Sequence, residues 1–160
     1  SGMGPFYCPQ DQKVYVDLGF FDELETKFGA GGDFANAYVL AHEVGHHIQN
    51  MEGTLANVQR AKQQLRGKSA QNKLQVKVEL QADCYAGLWA NQAQKQFDIL
   101  EAGDLEEAMT TASAIGDDSL QKQSQGFAIP HTFTHGTSKQ RVAWFNKGFK
   151  RGTVAACDTF

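Results

Sequence analysis

Apolar positions recur along the chain with two periods, and the helical one dominates. Near the N-terminus, residues 13–18, "KVYVDL", alternate, with Val14 and Val16 on one face and Tyr15 on the other, the period of a strand. Phe6 to Cys8 can pair with that strand across Pro9-Gln10-Asp11-Gln12 to make a hairpin. The spacing then changes to four. Phe20, Leu24 and Phe28 share one helix face, and Gly29-Ala30-Gly31-Gly32 ends it. Asp33 reads as the N-cap of a helix over residues 34–51, stopped by Gly53. Tyr38, Leu40, Ala41, Val44, Gly45 and Ile48 make this helix apolar around much of its circumference, which predicts that it is buried.

A polar, Gln-rich helix is expected over residues 55–66. A long one follows over residues 69–97, with Val76, Leu80, Ala86, Leu88 and Trp89 on its apolar side. "GDLEEAMTTASAIG" reads as a helix capped by Asp104, and "DDSLQKQSQG" as a short helical piece. Pro130 and Gly136 punctuate a loop before a last helix over residues 138–150, which carries Val142, Trp144, Phe145 and Phe149. With no repeat and no low-complexity block, the pattern predicts an α+β, mainly α-helical chain with a small N-terminal β-hairpin, arranged as one domain over residues 1–160.

Composition narrows the function classes. A chain of 160 residues with 41% apolar and 21% charged residues can bury a core and is not a disordered segment. A net charge of −3 and a pI near 5.9 leave no basic footprint for nucleic acid. No apolar run approaches the roughly 20 residues of a membrane helix. The opening Ser1-Gly2-Met3-Gly4 has the look of a truncation point or a cloning scar, and a targeting or anchoring segment ahead of it is compatible with that. Cys8, Cys84 and Cys157 show no Cys-x-x-Cys spacing. A Cys8–Cys157 bridge would tie both ends down in an oxidising compartment; the alternative is three free thiols. Cys84 sits in an apolar helical run and reads as a small buried hydrophobe.

The chemistry concentrates in "YVLAHEVGHHIQNMEG". His42 and His46 are four apart, stack on one helix face and can chelate one zinc ion. Glu43 lies about 100° round the helix, beside the metal, where a general base belongs. His47 points elsewhere. A third ligand directly after the helix is disfavoured, because Gln49 stands where a turn would need glycine and Glu52 where a third histidine would fall. "VELQADCYAG" is the better source. Glu79 and Asp83 are four apart on a second helix. Glu79 can complete a His2Glu site with a fourth position for water, and Asp83 can accept a hydrogen bond from His42. The reverse assignment, with Asp83 as ligand, stays open. Both acids lie among apolar neighbours, where a carboxylate needs a metal or a hydrogen-bond partner. In "THGTSKQRVAWF", His135 precedes the last helix and can stabilise an oxyanion, with Arg141 supporting it or an acidic partner. His131, Tyr38 and Tyr85 are further candidates for that task. The alternative is a surface histidine, with Thr137 and Ser138 merely capping the helix.

From about Gly4 to Phe160, the ordered blocks "GPFYCPQDQKVYVDL", "AHEVGHHIQN", "ELQADCYAG", "AIGDD", "QSQG" and "THGTSKQRVAWF" resemble the neutral zinc metallopeptidase family of bacteria. The resemblance implies a compact zincin-like (minigluzincin) fold. It implies one Zn2+ ion on His42, His46 and Glu79, Glu43 as base, Asp83 orienting a ligand, and His135 in a late histidine motif. It further implies hydrolysis of a peptide or protein substrate. The full-length protein would sit in the bacterial cell envelope, anchored to the membrane by a segment outside this sequence, with the domain extracytoplasmic. An edge strand at residues 14–17 could pair with an extended substrate. A latent zinc-binding scaffold is the alternative. Glu43 argues against it, since a structural site usually closes with four protein ligands and has no use for a base.

Overall fold

The computed structural model describes residues 4–160; Ser1 to Met3, part of the expected truncation point, lie outside the described residues. Strands β1 (Phe6–Cys8) and β2 (Lys13–Tyr15) pair antiparallel, with Phe6 opposite Tyr15 and Cys8 opposite Lys13. The hairpin forms where expected, but β2 stops at Tyr15 rather than residue 18. Among the described residues β1 offers only three partners, so Val16 onward has no described strand to pair with. Leu18 instead leads, exposed, into α1 (Gly19–Thr26).

Six more helices follow: α2 (Asp33–Met51), α3 (Thr54–Gln64), α4 (Lys68–Phe97), α5 (Asp104–Ala114), α6 (Asp117–Gln125) and α7 (Ser138–Arg151). Short 3-10 turns occupy Pro130–Thr132 and Val154–Cys157. The class is therefore α+β and mainly helical. Two caps differ from expectation. Gly32 and Gly103 precede α2 and α5, and Asp33 and Asp104 are first-turn residues. There their charges complement the helix N-terminus, and Asp33 Oδ1 accepts the Phe34 N–H at 2.9 Å. Thr137 forms a capping box with Gln140 at the head of α7.

α4 is the axis of the fold, and glycines set how closely its neighbours approach. A Cβ on Gly87 would lie 2.0 Å from the Phe145 carbonyl oxygen, and one on Gly148 would lie 2.0 Å from that of Cys84. The two glycines, one on α4 and one on α7, thus let the backbones meet. Gly45 does the same for α2, facing Ala82, as its place in the sequence suggested. Leu24, Phe34, Tyr38, Val39, Ala86, Ala90, Ala108, Ala112 and Phe145 fill the core between α1, α2, α4, α5 and α7.

Two further expectations are corrected. α2 is buried on one side only. Tyr38, His42, Gly45 and Gln49 face inward, while Leu40, Val44 and Ile48 are 39%, 49% and 40% exposed. Those three share a stripe turned away from α4, so the apolar circumference does not translate into full burial. The disulfide joins Cys84 to Cys157, not Cys8 to Cys157, and Cys8 is free. The turn ending in Cys157 packs on α4 beside Cys84, whereas Cys8 sits on the hairpin next to Gln10. Cys84 is buried as expected, yet as half of a cross-link.

That bond closes a separation of 73 residues, and constraining so long a loop in the unfolded chain stabilises the fold by about 2–4 kcal/mol. Cys157→Ser is expected to lower the free energy of unfolding in urea by that amount. A loss under about 1 kcal/mol would mean that the C-terminal turn is held by packing alone.

Candidate metal centre and cleft

α2 and α4 cross at Gly45 and Ala82, and this close contact lets their side chains converge. His42 and His46 project from α2 toward Glu79 on α4. Each Nε2 lies 3.2 Å from Glu79 Oε2, and the three ligand atoms all fall within 4.8 Å of one another. Zinc bonds of about 2.0–2.1 Å place tetrahedral ligand atoms about 3.3 Å apart. Two imidazoles and a carboxylate at this spacing fit a zinc ion, with room for a fourth ligand.

Each ligand atom is the one left over after a bond on its far side. His42 Nδ1 lies 2.8 Å from Asp83 Oδ1, and His46 Nδ1 lies 2.9 Å from Gln49 Oε1. Glu79 Oε1 accepts from Gln75 Nε2 at 2.7 Å, which leaves Oε2 to the histidines. The structure thus brings Glu79, and not Asp83, to the point where the Nε2 atoms meet.

Asp83 is fully buried and accepts four hydrogen bonds: from His42, from the Tyr38 hydroxyl at 2.6 Å, and from Arg141 Nε at 2.9 Å and Nη2 at 3.0 Å. Burial alone would raise its pKa; Arg141 and then His42 hold it well below the usual carboxylate range. Burial likewise opposes a charge on His42, but Asp83, with Glu79 behind it, pushes its pKa up to about 10. The same two carboxylates place negative charge on both sides of the His42 ring.

His42, His46 and Glu79 line a cleft of about 630 Å3, which Glu43 lines with them. Phe6 and Tyr7 of β1 and Leu55, Val58 and Lys62 of α3 contribute walls, and Phe20, Phe28, Ile115 and Leu120 add apolar surface. β1 lines the cleft and residues 14–17 do not, which corrects the strand expected beside a substrate. His135 also lines it, half exposed. Its Nδ1 lies 3.0 Å from Thr134 Oγ1 and 3.5 Å from Asp117 Oδ1. Asp117 Oδ2 pins this loop by accepting backbone N–H bonds from Thr134, His135 and Gly136 at 2.8, 2.6 and 2.9 Å.

Other candidates are engaged elsewhere. The Tyr38 hydroxyl serves Asp83, Tyr85 donates to Glu52 at 2.9 Å, and His131 lines a separate groove. His47 bonds the Tyr7 hydroxyl at 2.9 Å and ties α2 to β1. Arg141 pairs with Asp83, the acidic partner that was one of its two expected uses. Sequence reasoning missed Gln75 altogether and saw Gln49 only as an absent glycine. Both carried a signal: Gln49 is three residues after His46 and Gln75 four before Glu79, the spacings that put helix neighbours on one face.

The family model described as "Putative neutral zinc metallopeptidase" matches residues 1–160, and the chain belongs to that family. Its relatives include the "Uncharacterized protein YpfJ" of Escherichia coli (strain K12), 56% identical over 160 residues, an alignment that takes in 100% of this chain and 55% of that protein. Another is the "Uncharacterized protein Rv2575" of Mycobacterium tuberculosis (strain ATCC 25618 / H37Rv), 45% identical over 170 residues, covering 100% and 56%. The chain spans about half the length of the curated relatives it matches. No solved structure matches it significantly. Among the described residues, no helix is long and apolar enough to cross a membrane.

Proposed function

We propose that the chain is the peptidase domain of a zinc-dependent endopeptidase of compact, zincin-like (minigluzincin) design. The observation that carries this reading is the meeting of His42, His46 and Glu79 beside Glu43 in a cleft. His42, His46 and Glu79 hold one zinc ion, and Asp83 fixes the His42 ring with Nε2 toward it. When bound, zinc supplies Lewis acidity, which acidifies water and polarises a carbonyl. Glu43 takes the proton from the attacking water and returns it to the departing amine. His135, on the cleft lining, donates a ring N–H to the developing oxyanion. The cleft wall formed by β1 and the aromatic surface of Phe20 and Phe28 favour an extended peptide with apolar side chains.

The full-length protein is proposed to be anchored in the bacterial envelope with this domain outside the cytoplasm. The Cys84–Cys157 bridge supports that setting, since disulfides persist in oxidising compartments.

Metal removal and return tests the activity. The chain is stripped with a chelator, resupplied with one equivalent of zinc, and incubated with an unstructured protein whose fragments are read by mass spectrometry. Cleavage is expected to fall to background on stripping and to return with zinc. Zinc binding without cleavage would favour a latent scaffold, and cleavage indifferent to metal would sink the assignment.

A further inference from the structure

Gln49 is completely buried on the face of α2 that meets α4. Its Nε2 donates to the Val78 carbonyl at 2.8 Å and to Gln81 Oε1 at 2.9 Å. Gln81 Nε2 in turn donates to the Cys157 carbonyl at 3.0 Å, beside the disulfide. These bonds fix the direction of the whole chain of amides. Both amide hydrogens of Gln49 are taken by oxygens of α4, so its own oxygen must face His46 Nδ1, 2.9 Å away. A flipped amide would set oxygen against two oxygens. His46 Nδ1 is thereby made the donor, and its Nε2 lone pair is left toward Glu79, 3.2 Å off.

We propose that Gln49 is a positioning residue for His46, with Gln81 and the Cys157 carbonyl as its anchor. The proposal rests on the reading of His42, His46 and Glu79 as zinc ligands. The two ligand histidines are then oriented by different chemistry: His42 by the charged Asp83 and His46 by a neutral amide. A neutral acceptor fixes the tautomer without adding a further negative charge near Glu79.

A core glutamine that merely satisfied its own bonds would look alike, so the test separates metal affinity from stability. Zinc dissociation constants are measured by chelator competition for the wild type, Gln49→Leu, Gln49→Glu and Thr111→Val, together with urea midpoints. Thr111 is buried on α5, bonded to Ala30 and Glu107 outside the cleft, and serves as the stability control. Gln49→Leu removes the acceptor and is expected to weaken zinc about 10–100-fold. Gln49→Glu keeps an acceptor for His46 but confronts the Val78 and Gln81 oxygens. Its zinc affinity is expected to stay within about threefold of wild type while its urea midpoint falls.

Wild-type affinity in Gln49→Leu, or affinities that simply track the midpoints across all variants, would overturn the proposal. If Gln49→Leu does not fold, Gln81→Leu carries the test. It leaves Gln49 the Val78 carbonyl alone and is expected to weaken zinc about 3–10-fold; no change overturns the relay. A wild type that binds no zinc overturns the zinc-site reading itself, and it shows in the first titration, before any variant is made.

Discussion

Glu43→Gln is expected to lower peptide cleavage by about 10²–10⁴-fold, the range that a positioned general base contributes. The substitution keeps the shape of the side chain and removes its ability to take a proton. Glu43 is no part of the group formed by His42, His46 and Glu79, and none of the bonds that orient those ligands involves it. Zinc content should therefore stay at one equivalent per chain. The loss should appear in kcat rather than KM, because proton transfer belongs to the transition state. The measurement is steady-state cleavage of a fluorogenic peptide chosen from the fragments of an unstructured protein, with zinc counted in the same samples. Undiminished turnover at equal zinc would remove Glu43 from the mechanism and point to another hydrolase in the preparation. Lost turnover together with lost zinc would make Glu43 part of the metal's surroundings instead of a base.

The reason so much of this site can be read from the chain is that helices carry it. On a helix, spacing is geometry. His42 and His46 four apart, and Glu79 and Asp83 four apart, each fix a shared face before anything is known of the fold. Burial supplied the next step, since two acids among apolar neighbours had to find partners, and Asp83 does find His42 and Arg141. What could not be read depends on which helices pack together. Cys84 pairs with Cys157 because the last turn returns to α4, and no pattern in residues 84 or 157 encodes that return. The exposed stripe of Leu40, Val44 and Ile48 was hidden for a similar reason. An apolar residue says that a face could be covered; only the arrangement of neighbours says whether it is. Gln49 and Gln75 were passed over as ligand partners because neutral amides are ordinary surface residues in a helix, and their spacing from His46 and Glu79 gains meaning only once the structure shows Gln49 buried and Gln75 half-buried against those ligands.

Removing the charge of Asp83 should have the largest effect on stability. In Asp83→Asn, Arg141 is left charged in the core, its guanidinium having faced Asp83 through Nε and Nη2 at 2.9 and 3.0 Å. Breaking one side of a buried pair costs about 3–5 kcal/mol, because the remaining ion is left without its paired carboxylate. The Ile115 carbonyl, 3.2 Å from Nη1, and the Tyr38 hydroxyl, 3.2 Å from Nη2, are dipoles and do not replace a charge. Replacing both members, Asp83→Leu with Arg141→Met, removes the stranded ion, and such exchanges are often neutral or stabilising by about 1–4 kcal/mol relative to the pair. Stability measured by urea unfolding should therefore fall in the single variant and largely return in the double. Zinc affinity should not return with it. His42 Nδ1 has lost its acceptor in the double variant, and losing such a partner weakens metal binding about 10–100-fold. A double variant that recovered both quantities would show that Asp83 serves the fold through Arg141 alone. One that recovers stability without zinc separates its two tasks: neutralising Arg141, and turning His42 toward the metal.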